Sequence, residues 1–383
     1  MDFALTEEQQ LIRETARAFC DREIVPHARE WDRTERMDTG FVAKLADVGF
    51  LGCALPEEYG GMGLDTISYC LVMEELGRAD SSVRGIVSVN NGLAGKTIAK
   101  WGTQEQKSQW LPRLVSGEVL GCYGLTEPGS GSDPASLITR AEREADGWVI
   151  NGSKIFITLG SWAGVCLVFA RTGGEGARGI TCFLVPAATE GFSAVKIDGK
   201  LGLRAQDTAE LFLDGVRVPD SARLGDEGAG FKVAMSALDN GRISLAAGSV
   251  GIAQGCVDSC LAYAAERRQF GRPIATFQLV QELIADAAVE VEAARMLTYM
   301  AAWKADTGQP YTLAASQAKY YASEVAVRAA NAAVQVHGGY GYVDEYPVQK
   351  YLRDARVSTL YEGTSQIQKL LIGRALTGEN AFV

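Results

Sequence analysis

The chain has 383 residues, 47% apolar and 22% charged, enough to bury a large core and unlike a disordered or fibrous sequence. At roughly 100–200 residues per domain, two or three domains are expected. Lys and Arg number 37 against 47 Asp and Glu, a net charge of −10 that argues against nucleic-acid binding but leaves room for a local basic pocket. No apolar run approaches the ~20 residues that cross a bilayer, so no membrane association is expected. The start, Met1, Asp2 and Phe3 followed by Glu7 and Glu8, lacks the basic stretch and apolar run of a secretory signal. The 8 cysteines are scattered, form no CxxC pair, and read as reduced core residues of a cytoplasmic protein. His27 and His337 are the only histidines, so a metal centre has few ligands and a Ser-His-Asp hydrolase little support.

The first zone, residues 1–120, has a helical period. Thr6 with Gln9 predicts a capping box, and Leu11, Ile12, Ala16 and Phe19 follow at helical spacing. Phe41, Leu45 and Val48 form a second stripe, stopped at Gly49; residues 56–64 read as a loop. Residues 67–76 and 83–101 read as buried helices. In the second zone, residues 121–228, the period changes to two. Residues 148–150 and 154–158 around Asn151-Gly152 predict a hairpin, and 165–170, 180–185, 192–197 and 210–213 predict further strands. Asp214-Gly215 predicts another turn, into 216–218. In the third zone, residues 229–383, helical spacing returns. Residues 279–303 and 313–336 are long, Ala-rich and stopped by Gly308 and Gly338, as in a helix bundle. The expected architecture is helical, then β, then helical.

Four stretches could carry chemistry. Residues 123–133 hold Pro128, Gly129, Ser130, Gly131 and Ser132, a loop whose N–H groups and hydroxyls can approach a ligand or merely join two domains. It is neither a Walker loop nor a GxGxxG fingerprint, so it does not indicate ATP or NAD. Arg267, Arg268 and Arg272 beside a Gly–Pro break suit a phosphate clamp or a solvated helix end. Residues 335–341 end a long helix in three glycines, more than termination requires. Glu362 lies among Val357, Leu360 and Ile367, where a desolvated carboxylate can act as a general base; alternatively it begins a helix capped by Thr364 and Ser365.

The order and spacing of these stretches resemble the acyl-CoA dehydrogenase family. The resemblance runs from Thr6-Glu7-Glu8-Gln9-Gln10 through Pro56 to Gly61, then Leu125 to Asp133 and Arg267 to Gly271, and ends at Tyr361-Glu362-Gly363-Thr364. It implies an N-terminal helical domain, a central β-barrel and a C-terminal four-helix bundle, assembled as a homotetramer. It also implies FAD as cofactor, an acyl-CoA thioester as substrate and an electron-transfer flavoprotein as acceptor. By resemblance Glu362 is the base that takes the α-proton, and the β-hydride goes to flavin N5. The Glu362 N–H and a flavin ribityl hydroxyl would polarise the thioester carbonyl. A subgroup carries its base earlier in the chain, where Gly241 stands here.

The same resemblance puts Tyr123, Leu125 and Thr126 against the flavin ring, Ser132 near the ligand phosphates, and Phe156, Ile157 and Thr158 on the ring. Trp is common where Phe156 stands. Arg267, Phe270 and Gln278 would clamp the ADP half from a neighbouring subunit. Gln335, Val336, His337, Gly338 and Gly339 would supply further adenosine-side contacts, and Thr364 and Gln366 would follow the base onto the cofactor. Asp239, Arg242 and Gly363 would meet the substrate. Arg84 matches an arginine that glutaryl-CoA dehydrogenases use for a distal carboxylate, but those enzymes hold it with a Glu where Gly77 stands. A short acyl chain is the main expectation, with an acidic chain or a carrier-protein thioester as alternatives. A scaffold that has lost the chemistry is disfavoured by the intact Glu362 and flavin motifs.

Overall fold

The computed structural model describes residues 4–382. Met1, Asp2 and Phe3, on which the reading of the start partly rests, and Val383 lie outside the described residues. The first zone forms the helices Glu7–Phe19, Val25–Thr34, Phe41–Asp47, Thr66–Ala79, Ser81–Val87, Lys96–Trp101 and Gln104–Val115. Thr6 caps the first of these reciprocally with Gln9, as expected, and Thr103 with Gln106 repeats the device on the last. The stretch read as one buried helix over 83–101 is continuous but changes pitch, with a wide π segment at Ser88–Gly95.

The middle zone is a single eight-stranded sheet, mostly antiparallel. Two expected turns lie elsewhere. Gly147–Thr158 and Thr208–Pro219 are each one 12-residue strand, paired antiparallel. Asn151-Gly152 and Asp214-Gly215 face each other in the middle of that pair as irregularities, and the Gly215 N–H donates to Asn151 Oδ1 at 2.8 Å. The hairpin turn falls instead at Ala145-Asp146, between Arg140–Glu144 and Gly147–Thr158. Positive-φ glycines serve bulges as well as turns, so the local signal was right about backbone and wrong about topology. Ala163–Arg171 and Ile180–Pro186 are buried on both faces over most of their length, which places the sheet's core there.

The third zone contains Gly230–Glu266, Gln278–Asp306 and Thr312–His337, closed by Val348–Ser358 and Ser365–Thr377. Thr312–His337 packs on both other long helices and on Ser365–Thr377, through alanines that let the backbones approach. Gly230–Glu266 is long and apolar enough, by length and composition, to cross a membrane, contrary to the expectation from apolar runs. Of its apolar stretch 72% is buried inside the protein, so it reads as the bundle's core helix. It also packs on Thr66–Ala79, and a Cβ at Gly77 would collide with the Gly248 carbonyl.

Candidate active site

A cavity of about 480 Å³ opens where the three zones meet. The first zone contributes Arg84, Ser88, Val89 and Leu93, and the middle zone contributes Tyr123, Leu125, Thr126, Ser132, Phe156, Ile157 and Thr158. The third zone contributes Leu238, Arg242, Tyr361, Glu362 and Gly363.

Glu362 follows the helix Val348–Ser358 and precedes Thr364, whose side chain caps Ser365–Thr377 by accepting from the Ile367 N–H at 3.2 Å. Thr364 therefore caps as anticipated, while Glu362 lies outside that helix with φ 53°, followed by Gly363 at φ 89°. A left-handed non-glycine residue costs roughly 1–2 kcal/mol and persists where its surroundings over-determine it. Its Oε2 is buried with no hydrogen-bond partner. Burial drives the carboxyl above the ordinary carboxylate range, while Arg84, Lys319 and Arg242 draw it back. A Cβ at Gly241 would collide with Oε2, so the absence of a side chain there makes room for this carboxylate.

Arg84 is 2% exposed and donates from Nη2 to the Tyr361 hydroxyl at 2.6 Å. It pairs with neither Glu74 nor Glu75 of the preceding helix Thr66–Ala79: Glu74 accepts from Arg295 at 2.8 Å and Tyr299 at 3.0 Å, and Glu75 from Arg78 at 2.7 Å. Among the described residues no carboxylate lies within ion-pair distance of Arg84. Arg242 holds Asp239 at 2.7 Å, and Asp239 also accepts from Thr312 at 2.8 Å.

The middle-zone wall is held from behind. Buried Lys154 donates to Glu127 Oε1 at 2.7 Å, Phe169 O at 2.7 Å and Leu125 O at 3.3 Å. Despite burial, Lys154 and the Ile138 and Thr139 N–H groups keep Glu127 below the usual carboxylate range. This network fixes the loop bearing Leu125 and Thr126. Phe156 sits in a bulge at φ 60° and is 65% exposed at the cavity wall. An aromatic residue forced into left-handed backbone so that its ring faces a cavity suits a planar ligand. Thr158 accepts at 3.2 Å from Gln206, a residue the sequence did not signal.

A second cavity of about 540 Å³ brings together Arg267, Val336, His337, Gly338 and Gly339. His337 stacks on Tyr263 with centroids 4.2 Å apart and donates from Nδ1 to the Ala333 carbonyl at 2.8 Å; burial holds it below the ordinary histidine range. Phe270 is 93% exposed at the tip of the two-residue turn between Arg268–Gln269 and Arg272–Pro273. Gln278, Gln335 and Gln366 are also exposed, and with Phe270 and Thr364 they line neither cavity of the single chain.

Lys319, Gln368, Lys154 and Gln206 were not read from the sequence as site residues. Lys319 had a usable signal, since it falls on the same helical face as Ala315, Ala322 and Ala326, all buried.

The three-part fold and an aromatic-walled cavity with one desolvated carboxylate have the form of an enzyme site for a planar cofactor and its substrate. Family models for the acyl-CoA dehydrogenase N-terminal, middle and C-terminal domains match residues 6–118, 122–216 and 228–377. The chain belongs to the acyl-CoA dehydrogenase family, which is FAD-dependent. It is 44% identical over 373 residues to the short-chain specific acyl-CoA dehydrogenase of Clostridium acetobutylicum, covering 97% of this chain and 98% of that one. A chain from the electron transferring flavoprotein structure of Acidaminococcus fermentans superposes with TM-score 0.97 at 43% identity, over 99% of this chain and 100% of that one. Glutaryl-CoA dehydrogenase from Mycobacterium smegmatis, in complex with FADH2, gives TM-score 0.95 at 36% identity, over 99% and 97%.

Proposed function

We propose that this acyl-CoA dehydrogenase uses Glu362 as the base that takes the α-proton of a short-chain acyl-CoA. The supporting observation is the carboxylate itself: buried, unpartnered at Oε2, and lining a cavity beside three cations. A base for so weakly acidic a proton must be close and dry. The cavity meets that need with apolar walls from Val89, Leu93, Leu125 and Leu238. The Glu362 N–H donates to no group among the described residues, which suits it to the thioester carbonyl oxygen. Leu125, Thr126, Phe156, Ile157 and Thr158 fit the flavin ring, and FAD when bound supplies the acceptor for the β-hydrogen as hydride.

Arg267 and residues 336–339 fit the adenosine half at the second cavity. The exposed Phe270 arm fits a neighbouring subunit, so a homotetramer with sites shared between copies belongs to this reading. Val289, Met296, Met300 and Trp303, exposed on one face of Gln278–Asp306, offer apolar surface for such assembly. An electron-transfer flavoprotein is the proposed acceptor, and a reducing cytoplasmic setting suits the 8 buried free cysteines.

An acidic acyl chain is a second reading, favoured by Arg84, a buried guanidinium at the cavity wall with no carboxylate in ion-pair range. The Glu that holds such an arginine in glutaryl-type enzymes has no room at Gly77. Anaerobic mixing of the FAD-loaded protein with butyryl-, hexanoyl-, succinyl- and glutaryl-CoA decides between them. Butyryl-CoA is expected to bleach the flavin fastest, and no bleaching by any thioester would contradict the proposed activity. Under the acidic reading, Arg84→Ala raises KM for glutaryl-CoA at least tenfold more than for butyryl-CoA, roughly the value of a charge-assisted hydrogen bond. Equal effects on both remove that reading.

A further inference from the structure

Lys319 is 0% exposed on the Ala-rich helix Thr312–His337 and forms no ion pair among the described residues. A buried ammonium is normally matched by a carboxylate in contact. Here the Nζ donates instead to a neutral acceptor, the Gly363 carbonyl, at 2.7 Å. From the helix Ser365–Thr377, Gln368, also 0% exposed, donates from Nε2 to the Glu362 carbonyl at 3.1 Å and to the Gly363 carbonyl at 3.2 Å. Two consecutive carbonyls of a left-handed pair are thus pinned by two buried donors from two different helices. A backbone conformation of that kind needs such over-determination, and the residue it places is the proposed base.

We propose that Lys319, acting with Gln368, is a positioning residue for Glu362, locking the Glu362–Gly363 turn through the Gly363 carbonyl and placing a positive charge beside the carboxylate. This rests on Glu362 being the base. The surroundings show why the charge matters. Facing Glu362 are Arg84 from Ser81–Val87, Arg242 from Gly230–Glu266, Lys319, and the hydroxyls of Tyr361 and Tyr123. Facing Lys319 are Glu362, Arg242 and Glu324, the last of which accepts from Ser365 Oγ at 2.6 Å. Arg242 is already neutralised by Asp239, whereas Lys319 has no such partner and directs its charge at Glu362. Burial lowers Lys319 to about 8, and Glu362 keeps it more basic than burial alone would leave it.

The test measures kcat and KM for butyryl-CoA against pH in FAD-loaded Lys319→Met, Lys319→Gln and Lys319→Arg. Lys319→Met should lower kcat about ten- to a hundredfold, the scale of a sub-ångström to ångström misplacement, with KM within about twofold. Its acid limb should move to higher pH, because removing a cation leaves burial of Glu362 less opposed. Lys319→Gln keeps a donor without charge, so it should shift the acid limb equally while losing less kcat on the alkaline plateau. Lys319→Arg should return the limb towards its original position. Should Lys319→Met not fold, Lys319→Gln alone carries the test of the limb. An unmoved acid limb in Lys319→Gln, with kcat within about twofold, overturns the proposal. Glu362→Gln, run alongside, separates the two claims: if it stays active the base assignment fails, and if it is dead while the Lys319 variants are silent only the positioning role falls.

Discussion

At Glu362 several individually unfavourable features coincide: left-handed backbone, a desolvated carboxyl and an unpartnered oxygen. Each costs stability, and together they describe a group prepared to accept a proton. The sign of its pKa shift fixes the pH dependence. A carboxyl raised above 4.5 is protonated, and useless as a base, until the pH rises through its raised value, so kcat should climb with pH through a point above the ordinary glutamate range. The same shift means the fold favours neutral Glu362, a stability contribution lost as pH rises through that point. Gly241 supplies a second prediction. In Gly241→Ala the new methyl displaces Oε2, so kcat should fall about ten- to a hundredfold, while the urea midpoint moves little. Unchanged kcat would show that the carboxylate does not occupy this position in the working enzyme. The apolar neighbours Leu360 and Ile367 left Glu362 open between a desolvated base and a helix start, and only the family resemblance chose between them. Lys319 was not legible, because a single lysine in a helix ordinarily reads as solvent-facing, and only its alignment with Ala315 and Ala322 betrays burial.

Among elements, the cavity walls depend on a buried ionic junction. Lys350 donates to Asp354 at 2.6 Å and pairs with Asp80 at 2.9 Å. Asp80 is the N-cap of Ser81–Val87, accepting from the Ser82 N–H at 2.6 Å, and Asp354 accepts from the Leu203 N–H at 2.7 Å. One ammonium therefore joins the helix bearing Arg84, the helix leading to Glu362 and a loop of the middle zone. Burial alone would lower the Lys350 pKa, but Asp354 and Asp80 outweigh it and hold the lysine charged above its ordinary range. Lys350→Met strands two buried carboxylates and should cost about 3–5 kcal/mol in urea unfolding; a loss under 1 kcal/mol would show that the junction is not structural. Elements with strong apolar periods, such as Gln278–Asp306 and Thr312–His337, were legible to within three residues of their ends. Arg140–Glu144 was not, since its run of charges buries only Ala141 and shows no alternation. The Asn151-Gly152 turn failed for another reason: long-range pairing across Thr208–Pro219 keeps the strand extended through a site where local chemistry permits reversal.

For the molecule as a whole, the helical–β–helical order was legible because each zone keeps one period for more than a hundred residues. Where the zones meet was not, because no local pattern encodes the approach of Arg84, Phe156 and Glu362 to one cavity. That information entered through the motifs, whose order resembles a family. Under the proposed homotetramer, the two cavities and the exposed Phe270 arm would link cofactor binding to assembly. A ligand at a hundredfold excess over its Kd adds about 2.7 kcal/mol to the state that binds it. Stripping FAD should therefore lower the thermal midpoint and shift sedimentation towards smaller species, and restoring FAD should reverse both. An apoprotein that keeps its midpoint and its size would contradict a site shared between subunits.

The most direct measurement follows flavin absorbance after anaerobic mixing of the Glu362→Gln protein with the best acyl-CoA of the panel. The account predicts that the variant retains FAD and still binds the thioester, seen as a perturbed spectrum, while reduction slows at least about a thousandfold. Bleaching at a rate close to that of the unaltered protein would mean that another group takes the α-proton.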